Sequence, residues 1–406
     1  MEELSQTLDE VFRREKRRVV GTLVRMLGGI DAAEEAFQEA VLAALSSWRA
    51  GGAPVNPAAW LTTAAKNYAR DAMRHRRIVD EKAPLLVEND MVTPETLESI
   101  SDGELRLIFT CCHPVLTLDS QVALTLKVVA GFTTDDIARA FLSPEKTIAQ
   151  RITRAKKTIE EERLSYEVPD RAELPERLAS VLAVVYLMFN EGHTTREGPL
   201  MRLDLQVESL RLGRLLCDLL PNEPEVFGLF ALIAFSFARA ATRTDERGDL
   251  LLLSDQDRSR WDRPTIKEGL MALQRARRLG ARGSYVLQAE IAACHTTAQT
   301  WDGTDWRCIM GCYDELLALA PSPVVALNRE VAVCMRDGPE EGLAALAELE
   351  APLASYHLFY ALRADFRRRL GQDARDDYHR ALDLAGNESE RSFLQRQIDK
   401  ANRGAM

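Results

Sequence analysis

Apolar residues recur at three- and four-residue intervals along almost the whole chain, in segments dominated by Ala, Leu, Glu and Arg, and no sustained run alternates apolar with polar positions as a strand would. The pattern predicts an all-α protein. Prolines and glycines fall between the periodic segments rather than inside them. Polar stretches at residues 80–101, with Pro84 and Pro94, at 167–175 and at 243–264 mark boundaries. They predict two small helical modules, residues 1–80 and 102–168, joined by a linker at 81–101. A large helical region follows, divided into 175–290 and 291–406.

The most informative local pattern lies at residues 130–164. Gly131-Phe132-Thr133-Thr134-Asp135-Asp136-Ile137-Ala138 reads as a turn, a Thr N-cap with an acidic first turn, and a short helix with Ile137 and Ala138 facing inward. Phe141-Leu142-Ser143-Pro144 then turns tightly into a second helix over 144–162, with Ser143 as N-cap and Pro144 at its first position. This is a helix-turn-helix. Ile148, Ile152, Ala155 and Ile159 hold core spacing, while Thr147, Gln150, Arg151, Arg154, Lys156 and Lys157 supply polar and cationic side chains for base edges and phosphates. An ordinary amphipathic helix would share that charge pattern; the turn chemistry before it is what favours DNA.

A second basic cluster lies at residues 57–77, where a helix sets Lys66, Arg70, Arg74, Arg76 and Arg77 against the single acid Asp71, beside Trp60 and Tyr68. Cations interleaved with aromatics suit melted or single-stranded DNA. A loop at 48–56 with Gly51, Gly52 and Pro54 precedes it. Before that, an amphipathic helix at 31–45 has Asp31 as N-cap and Glu34, Glu35 and Glu39 exposed. An acidic helix beside a basic one reads as a protein-docking surface next to a DNA surface. Singly, Trp60 fits a core position and the carboxylates a solvated face.

Composition narrows the class. At 406 residues, with 46% hydrophobic and 28% charged positions, the chain has material for more than one folded domain. A net charge of −10 argues against nonspecific coating of nucleic acid, so DNA contact must come from local basic clusters. The apolar stretches 178–189 and 226–238 are interrupted or too short to cross a bilayer, and residues 1–10 are acidic rather than a basic, apolar leader; a soluble, cytoplasmic protein is expected. Seven cysteines, at 111, 112, 217, 294, 308, 312 and 334, form no regular framework and suit reduced thiols.

The motifs, taken in order, resemble a known family. Asp31-Ala-Ala-Glu-Glu-Ala-Phe-Gln-Glu-Ala-Val-Leu, Asn56-Pro-Ala-Ala-Trp-Leu and Ala65-Lys-Asn-Tyr-Ala-Arg-Asp are similar to the polymerase-clamp and promoter-melting helices of extracytoplasmic-function sigma factors. Thr147-Ile-Ala-Gln-Arg-Ile-Thr-Arg-Ala-Lys resembles that family's second DNA-reading helix. Leu105-Arg-Leu-Ile-Phe-Thr-Cys-Cys-His-Pro, Leu187-Met-Phe-Asn-Glu-Gly-His, Asp255-Gln-Asp-Arg-Ser-Arg-Trp-Asp and Leu327-Asn-Arg-Glu-Val-Ala-Val resemble the subgroup with a C-terminal tetratricopeptide-like extension. Residues 374–381 independently fit the second helix of such a repeat, within helix pairs expected near 306–336 and 353–385 and a cap at 388–401.

The resemblance implies a non-enzymatic initiation factor with core RNA polymerase and promoter DNA as partners, and no cofactor or metal. Asp31, Glu35, Gln38 and Glu39 would face the polymerase clamp. Trp60, Lys66, Asn67, Arg70, Arg74 and Arg77 would lie along the −10 element, and Thr147, Gln150, Arg151, Arg154 and Lys157 at the −35 element. Ala149 stands where relatives carry a longer polar residue, so individual base contacts do not transfer. Asp255, Gln256, Asp257, Arg258 and Trp261 are the candidates for contact between extension and sigma domains, or for a buried structural network. Two other readings compete: a helix-turn-helix regulator with a repeat-based sensor, which leaves residues 31–77 without a role, and an enzyme built on Asn190-Glu191-Gly192-His193 and 255–262, which lacks a nucleophile motif, phosphate loop or metal pair. Cys111-Cys112-His113 has no matching ligand pair at zinc spacing and reads as core packing beside Phe109 and Leu116.

Overall fold

The computed structural model describes residues 15–16, 19–24, 26–52, 54–80, 100–141, 143–193, 201–246, 248–386 and 388–404. The protein is 75% helical, in the expected all-α class, and the described residues contain no strand. A lone antiparallel bridge pairs Thr244 with Leu250. The chain forms two compact units, Met1–Val185 and Tyr186–Met406. Residues 81–99 of the expected linker lie outside the described residues.

In the first unit, α1 (Ile30–Gly51) and α2 (Pro57–Asp80) pack along a seam of small side chains. Ala33, Ala36, Ala40 and Ala44 on α1 and Leu61, Ala65 and Ala69 on α2 are buried in it. Two expectations shift here. The N-cap is Gly29, not Asp31, which falls in the first turn where its charge complements the helix dipole. The loop expected at 48–56 is shorter, because α1 continues to Gly51 before Gly52, at φ 80°, ends it. Asn56 then accepts the Ala59 amide at 3.0 Å and starts α2.

The second module comprises α3 (Ile100–Cys111), α4 (Leu118–Leu124), a π-turn at Thr125–Val129, α5 (Thr134–Ala140) and α6 (Glu145–Glu161). Gly131 turns the chain at φ 78°. Thr133 caps α5 through a reciprocal box: its hydroxyl accepts the Asp136 amide at 3.0 Å while the Asp136 carboxylate accepts the Thr133 amide at 3.1 Å. The expected Ser143 cap is displaced by one residue. Ser143 donates its hydroxyl to the Phe141 carbonyl at 3.1 Å, and Pro144 takes the cap position without a side-chain bond. The start of α7 (Leu174–His193) completes this unit, burying Leu178, Val181, Leu182 and Val185 while Arg177 donates to the Phe109 carbonyl at 3.0 Å.

The second unit is built around α9 (Pro224–Phe237), which packs against α8 (Leu203–Leu219), α10 (Arg263–Leu279) and α11 (Ser284–Thr297). Neighbours on several sides explain why α9 is apolar all round. With the following 3₁₀ turn it forms a helical stretch, Pro224–Thr242, long and apolar enough by composition to cross a membrane, contrary to the expectation of too short a run; 67% of it is buried inside the protein. A Cβ on Gly228 would lie 2.6 Å from the Val286 amide nitrogen, so only glycine lets α9 and α11 approach this closely. The Glu225 carboxylate accepts the Tyr285 and Val286 amides at 2.9 and 3.1 Å, capping α11 from its neighbour.

The rest is a succession of packed helices: α12 (Trp306–Leu319), α13 (Pro323–Asp337), α14 (Pro339–Leu346), α15 (His357–Arg369), α16 (Arg375–Leu384) and α17 (Glu388–Gly404). One core cluster gathers Leu287, Ile291, Trp306, Ile309 and Leu316 with Ala332 of α13. The next gathers Leu327 and Cys334 of α13 with Phe359, Phe366, Tyr378 and Leu394. Helix α13 contributes residues to both clusters.

Candidate polymerase and promoter interfaces

Helix α6 is two-faced. Ile148, Ile152, Ala155 and Ile159 are buried, and Gln150, Arg154 and Lys157 are exposed, with Thr147 and Arg151 half-buried at the edges. Positions 147, 150, 151, 154 and 157 share one face, the width a major groove admits. Arg151 is tethered to exposed Asp119 of α4 at 3.2 Å, and Lys157 to Glu161 at 3.2 Å in a fully surface pair that phosphate oxygens can replace at little cost. The capping box orients the preceding α5, and burial of Ile137 and Ala138 against the same core fixes its position relative to α6.

On α2, Asn67, Arg70 and Arg74 are exposed and Lys66 is half-buried. Arg74 has a 3.3 Å contact with Asp71. Trp60 is half-buried, its ring meeting the buried Trp48 edge-on at 5.5 Å, so it is anchored at one side and open at the other. The side chain of Arg77 lies outside the described residues. On α1, Asp31, Glu35, Gln38 and Glu39 are all exposed, whereas Glu34, expected with them, is turned inward at 12% side-chain exposure.

Glu34 belongs to an ion cluster that the sequence reading missed. Lys156, expected on the outer face of α6, instead reaches α1, contacting Asp31 at 2.6 Å and Glu34 at 2.7 Å; Lys16 meets Glu34 at 2.7 Å from another side. Burial opposes ionisation of Glu34, but the two lysines outweigh it and hold the carboxyl below its ordinary value. Burial likewise opposes the charge on Lys156, and its bonds to Asp31 and Glu34 outweigh that, raising it. The signal was available: 156 is four residues after Ile152 and three before Ile159, inside the buried stripe. Beside the cluster, a cavity of ≈ 510 Å³ is lined by Asp31 and Glu35 together with Ile159, Arg163 and Tyr166.

Residues 31–80 and 100–161 therefore present a carboxylate-rich helix, a cation-and-aromatic helix and a helix-turn-helix within one unit. Residues 11–78 match sigma-70 region 2 and residues 106–159 match sigma-70 region 4. Over 130 residues, 32% of this chain and 73% of the relative, the sequence is 32% identical to the RNA polymerase sigma factor CarQ of Myxococcus xanthus. The chain belongs to the sigma-70 family of RNA polymerase sigma factors. It is of the extracytoplasmic-function type with a C-terminal extension. Residues 177–277 of the sigma factor match a family of unknown function, DUF6596. An uncharacterized protein of Rhizobium meliloti (strain 1021) is 41% identical over 392 residues, 94% of this chain and 93% of that protein, so the same head and extension occur together elsewhere. No solved structure matches. Regions 2 and 4 imply that this sigma factor binds core RNA polymerase and promoter DNA.

The remaining candidates have local partners. Cys111 and Cys112 are buried, and Cys112 Sγ lies 3.4 Å from Thr125 Oγ1; burial pushes its thiol up to about 12. No group of three or more His, Cys, Asp or Glu side chains among the described residues is placed to hold a metal ion. In the extension of the sigma factor, Trp261 is 3% exposed and donates Nε1–H to Thr242 Oγ1 at 3.0 Å. Arg258 stacks over its ring at 4.7 Å. Gln256 is half-buried and donates to the Leu251 carbonyl at 3.4 Å, while exposed Asp257 accepts the Ser259 amide at 2.9 Å and exposed Asp255 the Ser254 hydroxyl at 3.1 Å.

Proposed function

We propose that this sigma factor reads the −10 element with α2 and the −35 element with α6, while α1 docks on the polymerase clamp, and that residues 186–406 regulate or assist initiation. The observation that carries the reading is the ordered pair of sigma-70 regions, with Asn67, Arg70 and Arg74 exposed on α2, Gln150, Arg154 and Lys157 exposed on α6, and Ile148, Ile152, Ala155 and Ile159 buried beneath them. Asp31, Glu35, Gln38 and Glu39 offer the clamp a carboxylate and amide row. Lys66, Asn67, Arg70 and Arg74, with the open side of Trp60, suit phosphates and unstacked bases of a melted strand. Thr147, Gln150, Arg151, Arg154 and Lys157 suit a duplex major groove, arginine being fitted to guanine edges or phosphate. The chain performs no covalent chemistry in this reading; polymerase supplies the active site. The stacked helix pairs of the extension form a repeat-like array of the kind that receives a peptide or a neighbouring domain.

The test is reconstitution. The full chain, mixed with bacterial core RNA polymerase, co-elutes with it and supports run-off transcription from a subset of promoters. A head ending at Val185 measures the part played by the extension; a cut at residue 175 would remove Arg177, which bonds the Phe109 carbonyl. A folded full chain that fails to bind core polymerase would overturn the reading in favour of a helix-turn-helix regulator. A head as active, and as responsive to signals, as the full chain would overturn the role given to the extension.

A further inference from the structure

The extension concentrates cationic side chains at a place that neither sigma region needs. Arg239 follows the C-terminal end of α9 and donates Nε–H to the Phe235 carbonyl at 3.3 Å. Arg243, one turn later, donates to the carbonyl of His193, the last residue of α7. Arg258 enters from the 255–262 run and donates Nη1–H to the carbonyls of His295 and Ala298, at the end of α11, at 2.6 and 2.8 Å. Arg239 is central: Arg243, Arg258, His193 and His295 all lie within electrostatic reach of it. Two motifs far apart in sequence, Asn190-Glu191-Gly192-His193 and Asp255 to Asp262, thus converge on one spot.

Arg239 and Arg258 have no described carboxylate acting on them. Helix-end carbonyls take some of the donors. Among the described residues, Glu390 acts on Arg243, and no carboxylate is among the groups acting on Arg239, Arg258, His193 or His295. Burial first, and the neighbouring guanidinium groups second, bring Arg239 and Arg243 down to about 10 and His295 down to about 4. Polar atoms are also left over: Arg258 Nη2, His193 Nδ1 and His295 Nδ1 are buried without a hydrogen-bond partner. The surroundings are aromatic. His295 stacks on Trp301 at 6.0 Å and meets Trp306 edge-on at 5.3 Å, His193 stacks on Phe189 at 5.3 Å, and Arg258 covers Trp261. A cation cluster in such low-dielectric surroundings is costly by itself and binds an anion strongly.

We propose that Arg239, Arg243 and Arg258, with His193 and His295, form a binding site in the extension for a small phosphate-bearing anion. Arg239 and Arg258, on which no described carboxylate acts, call for a ligand of about two negative charges, and a guanidinium fork matches phosphate oxygens two at a time. The histidines, neutral at physiological pH, supply N–H donors or accept a ligand hydroxyl.

Purified full-length chain is titrated with inorganic phosphate, pyrophosphate and citrate at matched ionic strength, following thermal unfolding and binding heat. Phosphate and pyrophosphate are expected to give a saturable rise in Tm, larger than that with citrate. Arg258→Gln, in a loop, and Arg239→Met are expected to weaken binding at least tenfold, with Arg258→Lys keeping part of it. Arg239→Met is also expected to unfold no earlier than wild type without ligand, because it removes a cation lacking its counter-charge. Arg154→Ala, on the DNA-facing surface, leaves the phosphate response unchanged. The site is disproved by no saturable response in wild type, by an unchanged response in Arg258→Gln, or by a response lost only with Arg154→Ala; citrate equal to phosphate would disprove the ligand class. No polymerase enters the assay, so its failure is separate from failure of the sigma-factor reading.

Discussion

Lys156 shows how much one side chain decides in the head of this protein. It leaves the DNA-facing surface of α6 to join Asp31 and Glu34, and its side chain is 14% exposed. Truncation strands two carboxylates next to a single remaining lysine, Lys16. Lys156→Ala should therefore cost about 1.5–3 kcal/mol, the range for hydrogen bonds to charged groups, read from urea unfolding. The pH dependence has a defined sign. Glu34 is depressed below its ordinary 4.5, so its contribution is complete above that value and lost as pH falls through the folded-state value. Lys156 is raised above its ordinary 10.5, so its contribution is complete below that value and lost as pH rises through the folded-state value. The stability difference between wild type and Lys156→Ala should be flat between these limits and shrink beyond both. A difference that peaked near neutrality would contradict the cluster. Asp31, the exposed member of the cluster, is also a proposed clamp contact, so polymerase docking would exchange its bond to Lys156 for one to the clamp.

Among the elements, the helix-turn-helix and the α9–α11 contact make the sharpest claims. Thr133→Ala removes the reciprocal cap of α5 and should destabilise the head by about 1 kcal/mol, measured by thermal or urea unfolding. Arg154→Ala touches no buried group. It should leave stability unchanged, weaken promoter binding by the holoenzyme and lower the salt dependence of that binding by about one phosphate's worth, if its contact is to the backbone. A loss confined to certain promoter sequences would instead assign it a base contact. In the extension, Gly228→Ala puts a methyl against the Val286 backbone, which cannot swing aside as a side-chain tip can. That overpacking should cost about 1–3 kcal/mol, seen as a lower Tm of the second unit.

At the scale of the whole molecule, a net charge of −10 coexists with two cationic helix faces. The isolated chain should therefore bind nonspecific duplex weakly, and DNA affinity should appear only in the holoenzyme, falling steeply with salt. Tight salt-resistant binding by the chain alone, in a filter or anisotropy assay, would argue against the sigma mechanism. Much of this was legible in one dimension. Helical periodicity, the turn over Gly131 to Asp136, the buried stripe 148-152-155-159 and the outward positions 150, 154 and 157 follow from local steric rules that any chain obeys. Local rules also misplaced helix starts, by two residues at Gly29 and by one at Pro144, because neither helix takes the side-chain cap that the sequence offered. What tertiary structure alone decided are the meetings of distant residues: Lys156 with Asp31 and Glu34, Glu225 on the amides of α11, and Arg239 among Arg243, Arg258, His193 and His295. Those depend on how helices pack in three dimensions, and spacing along a chain carries no record of the partner that packing will bring.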